Sequence, residues 1–237
     1  MRPVGFSTGA LAKGDFRRAL QMLRGKGCFA VELSALREPE LDPLVEAAST
    51  LDLDEFGYVS VHAPSRILGD ETAIVAKLST LAALGWPIVV HPDVIQDFEA
   101  WKILGPRLVI ENMDMRKPTG RDRFELEHFF SRFPDARLCL DVGHARQVDP
   151  TMSAAAAMMY AFGDRLLQLH VSEVNTRSRH ENLSLATVIA FNKISHLIPD
   201  EVPIILETPV CEAEINAQVQ VARRALPHRD QPISVAL

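Results

Sequence analysis

The feature that most constrains the fold is a series of eight short apolar or β-branched runs, separated by segments with helical periodicity. Most of these runs are continuous rather than alternating, which is typical of strands covered on both faces in a parallel sheet. The predicted strands span residues 3–7, 29–33, 58–62, 88–91, 108–111, 138–141, 166–170 and 204–207. Successive strands begin about 20 to 38 residues apart, the scale of a βα unit.

The intervening segments carry apolar stripes at helical spacing. One stripe ends at Gly25, a second ends at Gly85, and a third follows Asp122, a favourable N-cap residue. Their apolar positions are Phe16, Ala19, Leu20 and Leu23, then Ile74, Leu78, Leu81 and Leu84, and finally Phe124, Leu126, Phe129 and Phe130. Helices therefore alternate with the predicted strands.

Eight such units in 237 residues, without a linker or a break in composition, predict one compact (β/α)8 TIM barrel over residues 1–237. The unit between residues 91 and 108 is short and is the weakest part of this count. A doubly wound open sheet is the competing architecture, but it usually has fewer strands. No Gly-rich phosphate loop follows any predicted strand, so a nucleotide-binding fold has little support.

Composition indicates which partners and which cellular compartment to expect. The formal net charge of −6 gives no basic footprint for nucleic acid, so such a partner is not favoured, although a local patch or a metal cluster could supply positive charge. Cys28, Cys139 and Cys211 show no CxxC spacing and are expected to be reduced. Neither a signal peptide nor a membrane span is recognisable. We expect a soluble cytoplasmic protein with a small-molecule substrate, and a homo-oligomer is compatible with these features.

Polar residues stand at the ends of six consecutive predicted strands. In a parallel barrel these ends surround one mouth, so residues that are distant in sequence converge there. Charged groups at such positions are costly to bury unless they are paired or bound to metal. The residues are His62, His91, Glu111, Asp141 with His144 three residues later, His170 with His180 in the following loop, and Glu207.

Oxygen and imidazole donors without thiolate suit Zn, Mn, Fe or Co, and we expect one to two divalent ions. Glu111, Asp141, His170 and Glu207 form a plausible set of four ligands, and His62, His91, His144 and His180 could complete a second metal site or bind substrate.

Other interpretations of these residues remain open. Glu111 and Glu207 could neutralise a buried arginine, Asp141 could cap the next helix, and His170 could be a core histidine. Glu32, on the second strand, is expected to be structural or to support a ligand rather than to be one.

Several segments in this order resemble the xylose isomerase-like barrel superfamily, which includes sugar-phosphate isomerases and epimerases and abasic-site nucleases of the endonuclease IV type. The segments are VHAPS, VVHPD, IENMD, LDVGHA, LHVSEV with SRHENL, and ILETP. In the isomerase branch, the resemblance implies that Glu111, Asp141, His170 and Glu207 hold one metal. It also implies that His144 faces substrate and that Arg177 or Arg179 binds it.

In the nuclease branch, His62, His91, His144 and His180 would join these four residues to hold up to three zinc ions. Ser178 replaces the aspartate of that family's Asp-Arg-His segment, and the Gly-rich sequence that follows it is replaced by Leu183-Ser184-Leu185. Both departures count against a repair nuclease.

Two chemistries and one non-catalytic role follow. The first hypothesis is a metal-dependent isomerase or epimerase of a sugar or related hydroxy-carbonyl compound, acting through an enediolate with Glu111 and Glu207 as catalytic proton-transfer groups. The second is a metal-dependent phosphoester hydrolase of the endonuclease IV type. The third is a barrel that retains the metal site and acts only as a binding protein.

Overall fold

Eight parallel strands close into a barrel in the computed structural model, which describes residues 2–228. Each strand pairs with its neighbours in chain order, and the last pairs with the first. We number them β1 to β8: Val4–Ser7, Ala30–Ser34, Tyr58–His62, Ile88–Val90, Leu108–Glu111, Arg137–Asp141, Leu166–Val171 and Ile204–Leu206. The predicted strands agree with these bounds to within one residue, and the predicted TIM barrel is confirmed.

Ten helices surround the strands in the part of the chain that the structure describes. They are α1 to α10: Thr8–Ala12, Phe16–Leu23, Glu38–Ala47, Glu71–Ala82, Phe98–Trp101, Arg123–Arg132, Val142–Val148, Ser153–Phe162, Leu185–Ser195 and Ile215–Ala225. Short 3₁₀ turns lie at Ala48–Thr50, Pro92–Val94, Lys102–Arg107, Gly163–Arg165 and Glu212–Glu214. The unit between β4 and β5 is indeed reduced, with only one turn of α-helix.

The three predicted apolar stripes lie on α2, α4 and α6. Their residues are buried except for two, Leu84 and Phe124. Leu84 is 47% exposed because α4 ends at Ala82, and Phe124 is 66% exposed in the first turn of α6. The Phe124 ring instead lies under the guanidinium of Arg123, 4.1 Å from the ring centroid. Asp122 caps α6 as predicted, since its side chain accepts from the backbone N–H groups of Phe124 and Glu125.

Inside the barrel, a layer of apolar side chains lies beneath the polar side chains at the carboxyl ends of the strands. Val89, Val109 and Cys139 form a small buried cluster separate from the main core between strands and helices. Side chains two residues apart on a strand share a face, so Glu111 and Asp141 lie one layer nearer the carboxyl end than Val109 and Cys139. The apolar cluster is thus the floor beneath the polar strand ends.

One small addition modifies the mouth of the barrel. After β7, Glu173–Val174 and His180–Glu181 pair as a short antiparallel hairpin. The turn of this hairpin contains Ser178, whose φ of 52° lies in the left-handed region. Within residues 2–228, no helix has the length and apolarity needed to cross a membrane.

Candidate metal centre

The structure brings together the four residues predicted as primary metal ligands. Glu111 and Asp141 are the last residues of β5 and β6, His170 is the penultimate residue of β7, and Glu207 follows β8 directly. Each offers a ligand atom, and these four atoms all lie within 4.8 Å of one another. We call Glu111, Asp141, His170 and Glu207 the central cluster.

Glu111 is enclosed by imidazoles and is only 1% exposed. Its Oε2 accepts a hydrogen bond from His62 Nε2 at 3.1 Å and lies 3.5 Å from His91 Nε2. Its Oε1 lies 3.2 Å from His170 Nδ1 and 3.3 Å from His144 Nδ1. Burial alone would raise the pKa of Glu111, but these histidines outweigh burial and hold that pKa well below its usual range. Glu111 is therefore the anionic centre of the site.

Asp141 both caps a helix and faces the central cluster. Its Oδ1 accepts from the backbone N–H of His144 at 2.7 Å at the start of α7. The Asn112 side chain holds the backbone of Asp141, accepting from its N–H at 2.7 Å and donating to its C=O at 2.9 Å. Burial raises the pKa of Asp141, and the His144 imidazole offsets this only in part. The cap and the ligand role predicted for Asp141 are thus compatible, because each uses a different oxygen.

Two buried atoms of the central cluster lack hydrogen bonds within residues 2–228. They are Asp141 Oδ2 and His170 Nδ1. The His170 Nδ1 atom points at two carboxylates, 3.2 Å from Glu111 Oε1 and 3.7 Å from Glu207 Oε1. A buried polar atom without a partner is costly, and a divalent cation would satisfy both atoms at once. The donor set and its unsatisfied atoms therefore fit a metal ion.

The remaining predicted histidines form two groups beside the central cluster. One consists of His62, His91 and Glu111, and the other of Asp141, His144 and His180; within each, the ligand atoms lie within 4.8 Å of one another. The three groups share the carboxylates of Glu111 and Asp141, so they are contiguous.

The histidines differ in charge. Burial lowers the pKa of His91 well below its usual value and also lowers the pKa of His180, so both are neutral and able to bind metal. Burial would also lower the pKa of His144, but Asp141 and Glu111 outweigh it and raise this pKa to about 10. His144 therefore carries a proton that a metal ion would have to displace.

Access to the site is limited to one side. The side chains of His62, His170 and Asp141 are almost fully buried, whereas those of His91, Glu207 and His180 are 12%, 14% and 34% exposed. The side of the central cluster that is open to solvent is therefore the side on which these last three residues lie. Glu207 is the most accessible carboxylate there, and burial raises its pKa.

His180 depends on the hairpin after β7 for its position. Its Nδ1 lies 2.8 Å from Ser172 Oγ and 3.4 Å from Glu207 Oε2. Ser178, where the nuclease family has a ligand, makes structural contacts: its Oγ accepts from Gln147 Nε2 at 2.8 Å and its C=O from Arg116 at 3.1 Å. Ser178 thus contributes to the hairpin rather than to a metal group.

Arg177 and Arg179 flank Ser178 and are exposed on the turn of the hairpin. Three supporting residues were missed by sequence reasoning: Asn112, Gln147 and Arg116. Asn112 lies next to a predicted ligand, which could have suggested its role, but nothing in the sequence marks Gln147 or Arg116 as partners of a distant turn.

Comparison with known proteins identifies solved structures that share the fold. No protein-family model and no curated protein sequence matches the chain. A xylose isomerase domain protein from Alicyclobacillus acidocaldarius has a TM-score of 0.66 at 12% identity, covering 95% of this chain and 98% of that chain. The 3-keto-D-glucoside 4-epimerase of E. coli has a TM-score of 0.56 at 13% identity, covering 95% and 99%.

A xylose isomerase-like TIM barrel protein from Mycobacterium smegmatis, in complex with magnesium, has a TM-score of 0.58 at 13% identity and covers 95% and 98%. At these identities the likeness shows the fold. The chain has the xylose isomerase-like TIM-barrel fold, and the resemblance seen in its sequence motifs is confirmed at that level.

Proposed function

We propose that this protein is a metal-dependent isomerase or epimerase of a sugar or a related small hydroxy-carbonyl compound. The observation that carries the proposal is the central cluster, in which four ligand atoms converge within 4.8 Å at the barrel mouth. The similar fold of a sugar epimerase supports the substrate class, and the magnesium complex supports a divalent ion in a barrel of this kind.

Glu111, Asp141, His170 and Glu207 would hold the ion. Their oxygen and imidazole donors suit Zn, Mn, Fe or Co. Mg²⁺ is less suited to the imidazole, because it binds chiefly through carboxylates. When bound, the ion would hold adjacent oxygens of the substrate and stabilise the negative charge that appears when a proton leaves carbon.

The two glutamates have different surroundings, so we assign them different shares of the proton transfer. Both oxygens of Glu111 face imidazole nitrogens, which leaves little room for a substrate proton. Glu207 borders the accessible side, and burial raises the pKa of its carboxyl group, which makes it a stronger base than an exposed glutamate. Glu207 is therefore the proposed base, and Glu111 serves chiefly as a ligand.

The test is Glu207→Gln, which preserves shape and removes the base. In heavy water, NMR would follow exchange of the α-proton in a panel of ketoses, hydroxy-ketones and sugar phosphates. We expect the wild type to exchange at least one panel member and the variant to exchange it about 10²–10⁴-fold more slowly. Glu201→Gln, an exposed position shortly before the same strand, is the matched control and should exchange like the wild type.

Metal content of the Glu207→Gln variant must be measured in parallel, because loss of the ion would also stop exchange. Equal exchange rates in the variant and the wild type would remove Glu207 from the mechanism. A wild type that exchanges no panel member but cleaves a model phosphodiester would contradict the isomerase proposal.

A second function, phosphoester hydrolysis, is favoured by the group of His62, His91 and Glu111. Because this group shares Glu111 with the central cluster, two ions could bind side by side, as in two-metal hydrolases with ions about 3.5–4 Å apart.

Charge balance is compatible with either number of ions. The carboxylates of Glu32, Glu111, Asp141 and Glu207 bring four negative charges into a largely buried volume. Two divalent ions would neutralise them, and so would a single ion together with protonated histidines such as His144. Elemental analysis after saturation decides the point: two or more ions per chain favour the hydrolase, and one favours the isomerase.

A further inference from the structure

Glu32 is a buried carboxylate in the layer beneath the metal centre. It is 0% exposed, and it pairs in register with Ser60, two residues before His62. Side chains two residues apart share a face, so Glu32 lies inside the barrel one layer below the strand-end residues. Neither the proton transfer nor the ligand set of the proposed function uses this group.

The contacts of Glu32 converge on one of its oxygens. Its Oε2 accepts from Ser60 Oγ at 3.1 Å and from Gln168 Nε2 at 2.7 Å, and it lies 3.0 Å from His170 Nε2. Tyr58 donates its hydroxyl to Gln168 Oε1 at 2.7 Å, which orients the Gln168 amide so that its NH₂ faces Glu32. An oxygen with this many donors around it is that of an ionised carboxylate.

His170 stands between this carboxylate and the central cluster. Its Nδ1 faces Glu111 and Glu207, so a metal ion bound there requires the proton of the imidazole to be on Nε2. Two groups lie 3.0 Å from Nε2: Glu32 Oε2, an acceptor, and Gln168 Nε2, an amide N–H₂ group that cannot accept the Nε2 proton. Among the residues that the structure describes, Glu32 is thus the acceptor available to the Nε2 proton.

We propose that Glu32 is a positioning residue for metal binding: its carboxylate accepts the Nε2 proton of His170 and directs Nδ1 at the ion. A carboxylate behind a ligating histidine fixes the orientation of the ring and makes the imidazole a stronger ligand. The arrangement would also compensate Glu32, because a cation held on the far side of the ring would offset an otherwise costly buried anion. The inference rests on the proposed metal site and not on the reaction catalysed there.

The test is Glu32→Gln, which keeps the shape and removes the negative charge. We expect the variant to bind Zn²⁺ about 10–100-fold more weakly than the wild type, measured by competition with a chromogenic chelator. Ser60→Ala is the matched control, because it removes one donor to the same oxygen without touching His170. Its Zn²⁺ affinity should stay within about threefold of the wild type.

Thermal unfolding with and without Zn²⁺ separates positioning from a structural role. Removing one partner of the buried Glu32–His170 pair should lower the Tm of metal-free Glu32→Gln, and the rise in Tm on adding Zn²⁺ should be smaller than in the wild type. Equal losses of stability with and without Zn²⁺, or a Zn²⁺ affinity within about threefold of the wild type, would overturn the proposal. A wild type that binds no divalent ion would overturn it together with the proposed function.

If Glu32→Gln fails to fold, the wild type itself provides the test. In the Zn²⁺-loaded, ¹⁵N-histidine-labelled protein, NMR should show a downfield, exchange-protected Nε2 proton on His170, as expected for a bond to a carboxylate. A rapidly exchanging proton, or a His170 ring with its proton on Nδ1, would contradict the inference.

Discussion

The proposed ligand residues of this site are held in two ways, by barrel strands and by a hairpin. Glu111, Asp141 and His170 lie within hydrogen-bonded parallel strands and are at most 1% exposed. His180 lies in a two-residue strand of the hairpin after β7, and its side chain is 34% exposed. The strands fix their side chains through backbone pairing with both neighbours, whereas the hairpin relies on a few side-chain contacts.

This difference suggests that the strand residues and the hairpin residues have different functions. Groups that must bind an ion tightly are best placed on rigid elements whose rotamers are fixed by packing. Groups that meet a substrate at the mouth can tolerate, and use, the lower local stability of a loop. We therefore expect the strand-borne residues to determine metal affinity and the hairpin to determine how a substrate is bound.

The difference between strands and hairpin is tested most strongly by removing one proposed ligand of each kind. Glu111→Ala removes the carboxylate shared by two donor groups and should lower metal content to near zero after desalting. His180→Ala should retain at least one ion per chain, because the central cluster remains complete. Elemental analysis of both variants, with circular dichroism to establish that each is folded, provides the measurement. If His180→Ala loses as much metal as Glu111→Ala, the hairpin is as much a part of the metal site as the strands.

The same contrast explains what sequence could and could not predict. The strand-end residues were predictable because apolar runs identify strands, and parallel strands bring their carboxyl ends to one mouth. His91 and Glu207 lie just past the observed strand ends, yet converge as expected. The end of each strand can be predicted from where its apolar run ends in the sequence, and this requires only the neighbouring residues.

Long-range side-chain contacts could not be predicted in this way. The bond from Gln147 to Ser178 joins α7 to the hairpin turn, and no periodicity relates the two positions. Glu32 was expected to be structural or to support a ligand, but only the structure identifies His170 as its neighbour, across the barrel from β2 to β7. Which nitrogen of His170 faces the ion is likewise a property of packing.

A second test uses the dependence of stability on pH. In the metal-free protein, the pKa of His144 is raised to about 10, above its value in the unfolded chain, about 6.5. The native state therefore binds more protons than the unfolded state in this interval, so stability falls as pH rises. This contribution is fully present below pH 6.5 and is lost progressively toward pH 10.

We expect the Tm of metal-free protein to fall by at least about 2–4 °C between pH 6.5 and 8.5, a change of about 1 kcal/mol or more for a chain of this size. At the upper limit the thiols of the unfolded chain, whose pKa is about 8.5, are about half ionised, so they contribute part of the fall in Tm. Scanning calorimetry with and without Zn²⁺ would measure it. His144→Gln should flatten the profile of the metal-free protein, and an unchanged slope would show that other groups hold the protons.

The smallest expected effect is the loosening of the hairpin itself. Gln147 donates from Nε2 to Asn175 C=O at 2.6 Å and to Ser178 Oγ at 2.8 Å, and its Oε1 accepts from the backbone N–H of Met115 at 3.0 Å. Gln147→Ala should remove all three bonds and leave the central cluster intact. Because these bonds hold the hairpin and not the barrel core, their loss should increase the opening of the hairpin without exposing the core.

The readout is amide hydrogen exchange followed by mass spectrometry. In Gln147→Ala we expect peptides covering residues 173–181 to exchange about 5–30-fold faster, as for a loss of about 1–2 kcal/mol, with strand peptides and metal content unchanged. Asn192→Ala is the matched control, since the Asn192 side chain also makes three hydrogen bonds, one to Val188 C=O within α9 and two to Arg224 and Ala225 C=O at the end of α10. It should accelerate exchange there and leave the hairpin as in the wild type. Unchanged exchange at 173–181 in Gln147→Ala would mean that strand pairing and the Arg116 contact suffice to hold His180, so that the hairpin is as firmly held as the strands beside it.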